Sequence, residues 1–102
     1  MAFEIVVKPQ AWFDLVGAML WYDSRRESLG REFFKEFEVA IDRTKINPNA
    51  FREIIPEVKR ILIKRFPYKV FYTVSENTIY IIGVLHVSRS NTFIKKRLRK
   101  RP

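Results

Sequence analysis

Residues 58–85 read VKRILIKRFPYKVFYTVSENTIYIIGVL, and their punctuation decides the fold. Three runs rich in β-branched and aromatic residues, Val58 to Arg65, Tyr68 to Ser75 and Thr78 to Leu85, are divided by Phe66-Pro67 and by Glu76-Asn77. Proline and asparagine favour turns, and separators this short leave only an antiparallel meander. In the middle run Val70, Tyr72 and Val74 share one face and Lys69, Phe71 and Thr73 the other. The first set is expected to pack on helices, with the opposite face left available.

Upstream of the meander the period changes. Phe3, Ile5 and Val7 alternate with Glu4, Val6 and Lys8, a short strand closed by Pro9, which in turn suits the first turn of a helix. Trp12, Leu15, Val16, Met19 and Tyr22 then follow helical spacing and are expected in the core, while Asp14, Asp23, Arg25 and Arg26 fall off that stripe. Ser24 to Ser28 reads as a turn. A second helix follows, with Ser28 as its cap, Leu29, Phe33, Phe37, Ala40, Ile41 and Thr44 on its buried face, and Asn47-Pro48-Asn49 as its stop. The expected fold is α+β with the order β-α-α-β-β-β: a helical hairpin on one face of a small antiparallel sheet. The seven residues Lys95 to Arg101, six of them charged, either extend a short last helix or form a disordered tail. Residues 1–102 make one domain, with the basic tail at about 95–102.

Composition bounds the chemistry. The chain is 47% apolar and has no cysteine, which describes a packed globule without a disulfide framework or a Cys-based metal site. The longest apolar run, Ile79 to Leu85, is far short of the roughly 20 residues of a membrane span. No secretory signal is read before Lys8, and a cytoplasmic location is expected. No glycine-rich phosphate loop, no His-Glu-x-x-His and no paired carboxylates at an evident site are present, so neither cofactor nor metal is expected. The charge is two-sided. Residues 1–58 carry 8 Lys/Arg against 10 Asp/Glu, net −2, whereas residues 59–102 carry 12 against the single acid Glu76, net +11. Such a field attracts an acidic partner: nucleic acid, an acidic protein or an anionic surface.

Three patterns then fall in order: Pro9 to Tyr22 with its Trp-Tyr end; Leu29-Gly30-Arg31-Glu32-Phe33; and Lys59-Arg60 through Arg65-Phe66-Pro67-Tyr68-Lys69-Val70-Phe71-Tyr72, running on to Leu85-His86-Val87-Ser88-Arg89. Together they resemble the RelE/ParE superfamily of type II toxin–antitoxin toxins, also called plasmid stabilisation proteins. The resemblance implies a toxin that arrests growth and is neutralised by a cognate antitoxin. It implies either ribosome-dependent messenger RNA cleavage or another translation block, as in RelE, or non-enzymatic inhibition of DNA gyrase, as in ParE. A family member that only binds antitoxin is a third reading.

Cleavage of RNA through its 2′-OH needs a proton acceptor, a proton donor and cations around the phosphorus. His86, the only histidine, lies at a strand end three residues before Arg89, and with Arg65 these form the candidate metal-independent catalytic set. The bland reading of a lone strand-end histidine is structural. Arg60, Lys64, Tyr68, Lys95, Lys96 and Arg97 are candidates for nucleic-acid or antitoxin contact, against the ordinary reading of a solvated charged face. Tyr72 could serve as a base with a strongly depressed pKa, or stack on a nucleobase, but by its alternation with Val70 and Val74 it is expected in the core with a satisfied hydroxyl. No tyrosine follows Arg89, so the terminal aromatic acid–base group of some RelE-like relatives is missing.

Overall fold

The structure is a computed structural model that describes residues 2–99. Strand β1 (Glu4–Val7) leads into helices α1 (Pro9–Arg25) and α2 (Leu29–Ile46). A 3-10 turn (Pro48–Ala50) precedes strands β2 (Glu53–Ile55), β3 (Val58–Leu62), β4 (Tyr68–Ser75) and β5 (Thr78–His86), and helix α3 (Asn91–Arg99) closes the chain. The sheet runs β1-β5-β4-β3-β2. The α+β class, the helical hairpin and the meander are those the sequence predicts. Of the basic tail, Lys95 to Arg99 lie on α3, so the helical alternative holds there; residues 100–102 lie outside the described part.

Two features extend the expected sheet. β1 pairs parallel with β5, Ile5 opposite Ile79, which makes a five-stranded mixed sheet. The three-residue β2, paired irregularly with β3, adds the far edge; it is too short to show a period of two and is followed by Pro56. The hairpin thus carries the chain from one sheet edge to the other.

Packing follows the register. Arg60 pairs with Phe71 and Ile61 with Val70, so Ile61, Val70 and Tyr72 face the hairpin, where they meet Leu15, Phe33 and Phe37. A bulge then splits β5: Phe71 stands opposite Gly83 and Tyr72 opposite Ile81, leaving Ile82 as the extra residue. One additional residue resets the alternation, which lets Ile81 join the hairpin core while Ile82 faces the other side. That other side is not left available, as the alternation alone suggested. Ile94 and Leu98 of α3 pack on Val58, Phe71, Ile82 and Leu85 as a second small core, because α3 places its only buried apolar residues one turn apart.

The helices differ from expectation in two places. Ala11, Leu15, Ala18 and Tyr22 form the buried stripe of α1, while Trp12 is 49% exposed and Val16 lies outside the core. Ser28 precedes α2 in a left-handed conformation (φ 69°) and makes no side-chain cap. Asp23 Oδ1 supplies the cap instead, accepting the Gly30 N–H at 2.7 Å. Gly30 is the point of closest approach of the hairpin, since a Cβ there would sit 2.5 Å from the Met19 carbonyl oxygen.

One ion pair ties the layers together. Asp14 Oδ2 accepts the Val84 N–H beside the bulge (3.0 Å) and pairs with Arg97 Nη2 (2.7 Å), with side-chain exposures of 15% and 18% for the two residues. Arg97 also donates to the Gln10 carbonyl at 3.4 Å. Breaking a largely buried pair from one side strands the remaining charge. Asp14→Ala is expected to cost about 2–4 kcal/mol by chemical denaturation, and Asp14→Ala with Arg97→Met is expected to cost less than the sum of the two single changes. Gly30→Ala, which forces the hairpin apart, is expected to cost about 1–3 kcal/mol, read as roughly 5–15 °C in Tm.

Candidate functional site

The candidate residues converge where β4 begins and β5 ends. Tyr68 and His86 are cross-strand partners, and their rings meet edge to face at 5.2 Å. Beyond His86 the chain turns tightly: Arg89 N–H donates to the His86 carbonyl (3.1 Å), and Ser88 N–H donates to His86 Nδ1 (3.0 Å). An imidazole that accepts at Nδ1 carries its proton on Nε2 when neutral, so the turn fixes both the tautomer and the ring orientation. The Arg89 guanidinium stacks on Phe93, 4.6 Å from the ring centre. Burial raises the Tyr68 phenol above its usual range, opposed by the nearby Arg89 charge and reinforced by Asp14. Tyr68 also packs on Tyr22 and Phe33, so its ring belongs partly to the core.

Arg65 is held elsewhere. It occupies the β3–β4 turn with a left-handed backbone (φ 72°), and its guanidinium reaches α2, 2.8 Å from Glu32 and 3.6 Å from Glu36. The hydrogen bond from Arg65 is the main cause holding the Glu32 carboxyl below its ordinary range, with Arg26 adding to it. The structure therefore brings Tyr68, His86 and Arg89 together and engages Arg65 with two carboxylates of the hairpin. Tyr72 is a core residue, as its alternation predicts: its hydroxyl donates to the Pro48 carbonyl at 2.7 Å, and burial pushes its pKa up to about 12.

A second group of cations lines a cavity of about 340 Å³ between the sheet and α3. Arg60 and Lys69 come from neighbouring strands, Lys95 from α3 and Arg52 from the approach to β2, over an apolar floor of Phe71 and Ile94. Register explains the convergence, because pairing Arg60 with Phe71 and Leu62 with Lys69 puts all four on the α3 side of the sheet. None of the four cations forms an ion pair among the described residues. Glu53, the one acid at the rim, has a carboxylate oxygen occupied by the Glu57 N–H at 2.9 Å. Of the other basic candidates, Lys64 lies in an adjoining depression with Arg43 and Phe51 that shares Arg52 and Arg60 with the cavity, Lys96 is exposed on α3, and Arg97 is the inward partner of Asp14. Sequence reasoning passed over Lys69 and Arg52. The position of Lys69 on the Phe71 face was a usable signal; Arg52, in an irregular stretch, offered none.

Residues 5–91 match the family described as ParE toxin of type II toxin-antitoxin system, parDE. The chain belongs to the ParE toxin family. A solved structure from P. aeruginosa, described as a chromosomal ParDE TA system, superposes with a TM-score of 0.75 at 16% identity, covering 83% of this chain and 96% of that one. At that identity the likeness speaks for the fold, which is the hairpin-on-sheet arrangement described above. No curated protein gives a significant sequence match. Among the described residues no helix is long and apolar enough to cross a membrane.

The Glu32–Arg65 contact has a signed pH dependence. A carboxyl whose folded pKa is lowered contributes stability that is complete above the unfolded value, about 4.3, and is lost as pH falls through the lowered folded value. The Tm difference between the wild type and Glu32→Gln is therefore expected to be constant from pH 7 to about pH 5 and to shrink on further acidification. A difference that grows toward low pH would contradict the assignment.

Proposed function

We propose that this ParE-family toxin arrests growth without chemistry, by binding DNA gyrase in the cytoplasm, and that a cognate antitoxin neutralises it. The observation that carries this reading is the division of the expected catalytic set. His86 and Arg89 adjoin, but Arg65 is paired with Glu32 and Glu36, and the Tyr72 hydroxyl is buried and bonded to Pro48. Cleavage of RNA needs two proton-transfer groups and cations around one phosphate. Here His86 has Arg89 as its one neighbouring candidate cation, and the Tyr68 phenol beside it is held in its protonated form by burial. The cations that do converge, Arg52, Arg60, Lys69 and Lys95, surround a cavity that His86 does not line and whose one acid, Glu53, has a carboxylate oxygen taken by the Glu57 N–H. Such an arrangement suits contact with an acidic surface, protein or DNA, more than turnover.

Family membership adds to this, since ParE toxins are gyrase inhibitors by the resemblance drawn from the sequence. Induction of the chain is expected to stop growth, to trap gyrase on cut DNA and to leave transcripts intact. With purified gyrase, Arg60→Glu combined with Lys69→Glu is expected to weaken inhibition at least tenfold, while His86→Ala retains it. Ribosome-phased transcript cuts that vanish in His86→Ala would instead establish messenger RNA cleavage. Absence of growth arrest would identify a member that only binds antitoxin.

A further inference from the structure

Helix α1 is apolar all the way round, and only half of that surface is used. Its inner stripe, Ala11, Leu15, Ala18 and Tyr22, packs in the core. On the outer side Phe13 is 82% exposed and Leu20 66%, with Trp12 and Trp21 about half exposed and Val16 between them. Residues 13, 16, 17 and 20 repeat the spacing of a helix face, opposite the buried one. Gly17 lies within that face, and a Cβ built on it would meet nothing within 4 Å. From Gln10 to Tyr22 the only charge is Asp14, which is turned inward to Arg97 and Val84. A helix without a polar face is normally a buried helix, and an exposed apolar patch of this kind marks a protein contact.

We propose that the outer face of α1 is where the antitoxin docks, through a four-turn amphipathic helix with an apolar stripe and an acidic end. This rests on the antitoxin clause of the proposed function and moves the contact away from the basic candidates Arg60, Lys64, Lys95 and Lys96. Area and charge select the occupant. Two tryptophans, a phenylalanine, a leucine and a valine at these exposures offer roughly 500 Å², short of the about 800 Å² per partner of a standard interface between two globular chains, and suited to one helix laid along another. A second copy is opposed by the net charge of +9 on each chain. One end of the face is basic: Arg25, in the last turn of α1, lies 4.5 Å over the Trp21 ring, whereas Lys8 is turned onto the Tyr80 ring of the sheet. Arg25 forms no ion pair among the described residues, so an acidic group at that end of the incoming helix complements it. Gly17 lets the two helix backbones approach closely, and Phe13 and Leu20 supply the side chains that fill the partner's grooves.

Trp12 and Trp21 are the only tryptophans of the chain, so intrinsic fluorescence reports on this face directly. The probe is the full-length protein encoded by the adjoining gene. Its addition to the full-length toxin is expected to shift tryptophan emission to shorter wavelength. Phe13→Ser with Leu20→Ser, two changes at exposed positions, are expected to weaken the complex at least about a hundredfold. In cells that double variant is expected to arrest growth and to escape neutralisation, whereas Lys64→Ala with Lys96→Ala remains neutralised. Wild-type affinity in the Phe13/Leu20 variant, with no emission shift on binding, would overturn the surface and leave the antitoxin reading standing. No complex even with the wild-type chain would overturn both. Self-association of the toxin that the same two serines abolish would overturn the choice of occupant in favour of a second copy.

Discussion

The Asp14–Arg97 pair is the contact on which the two-sided architecture depends. Three elements meet in it: α1 contributes the carboxylate, β5 the Val84 N–H and α3 the guanidinium. The carboxylate is in place to accept a donor beside a bulge, and the same bulge lets β5 serve two cores at once. A nine-residue helix with a strongly basic surface has little reason to lie on a basic half-molecule. Ile94 and Leu98 give it apolar contact, and Asp14 removes one of its charges at the point of closest approach. Ion pairs taken out of water contribute less to stability than to choosing one arrangement over others, and here the choice is the seat of α3. Because Ile94 and Lys95 line the basic cavity, its shape is a consequence of that seat.

The acids of the first half of the chain act as selectors among the cations of the second. Glu32 and Glu36 take Arg65, and Asp14 takes Arg97. Around the cavity Arg60, Lys69 and Lys95 of the basic half, with Arg52 of the other, form no ion pair among the described residues. A charge total therefore overstates the functional surface, while the pairing pattern outlines it. The same division frees α1. Asp14, the one charge between Gln10 and Tyr22, is spent inward, so the middle of the outer side of α1 is apolar.

Much of the fold was legible because β4 and β5 are long enough to display their period and because Phe66-Pro67 and Glu76-Asn77 punctuate them. The hairpin was legible for the same reason. Its orientation was less so: a helix with apolar residues on both the inner and the outer side gives a weak signal of which stripe turns inward, and Trp12, by size the obvious core residue, is half exposed while Ala11 and Ala18 are buried. Small residues win those positions because the helix must lie close to the sheet. The parallel pairing of β1 with β5 joins segments whose sequences carry no mark of each other. The Ser28 cap failed for a local reason, since its left-handed backbone gives the Gly30 N–H to Asp23. Candidate residues fared by their neighbours. His86 and Arg89 share one tight turn, so their proximity was readable, whereas the partner of Arg65 lies 33 residues upstream and that of Arg97 83 residues upstream. Asp14 did leave a trace, as the lone charge in the apolar stretch from Gln10 to Tyr22, the pattern expected of a buried acid with a distant partner.

Glu32 and Glu36 lie one helical turn apart on α2 and therefore reach the same guanidinium, that of Arg65. The pair thereby joins α2 to the β3–β4 turn, where Arg65 adopts a left-handed backbone and beyond which Tyr68 and Lys69 start β4.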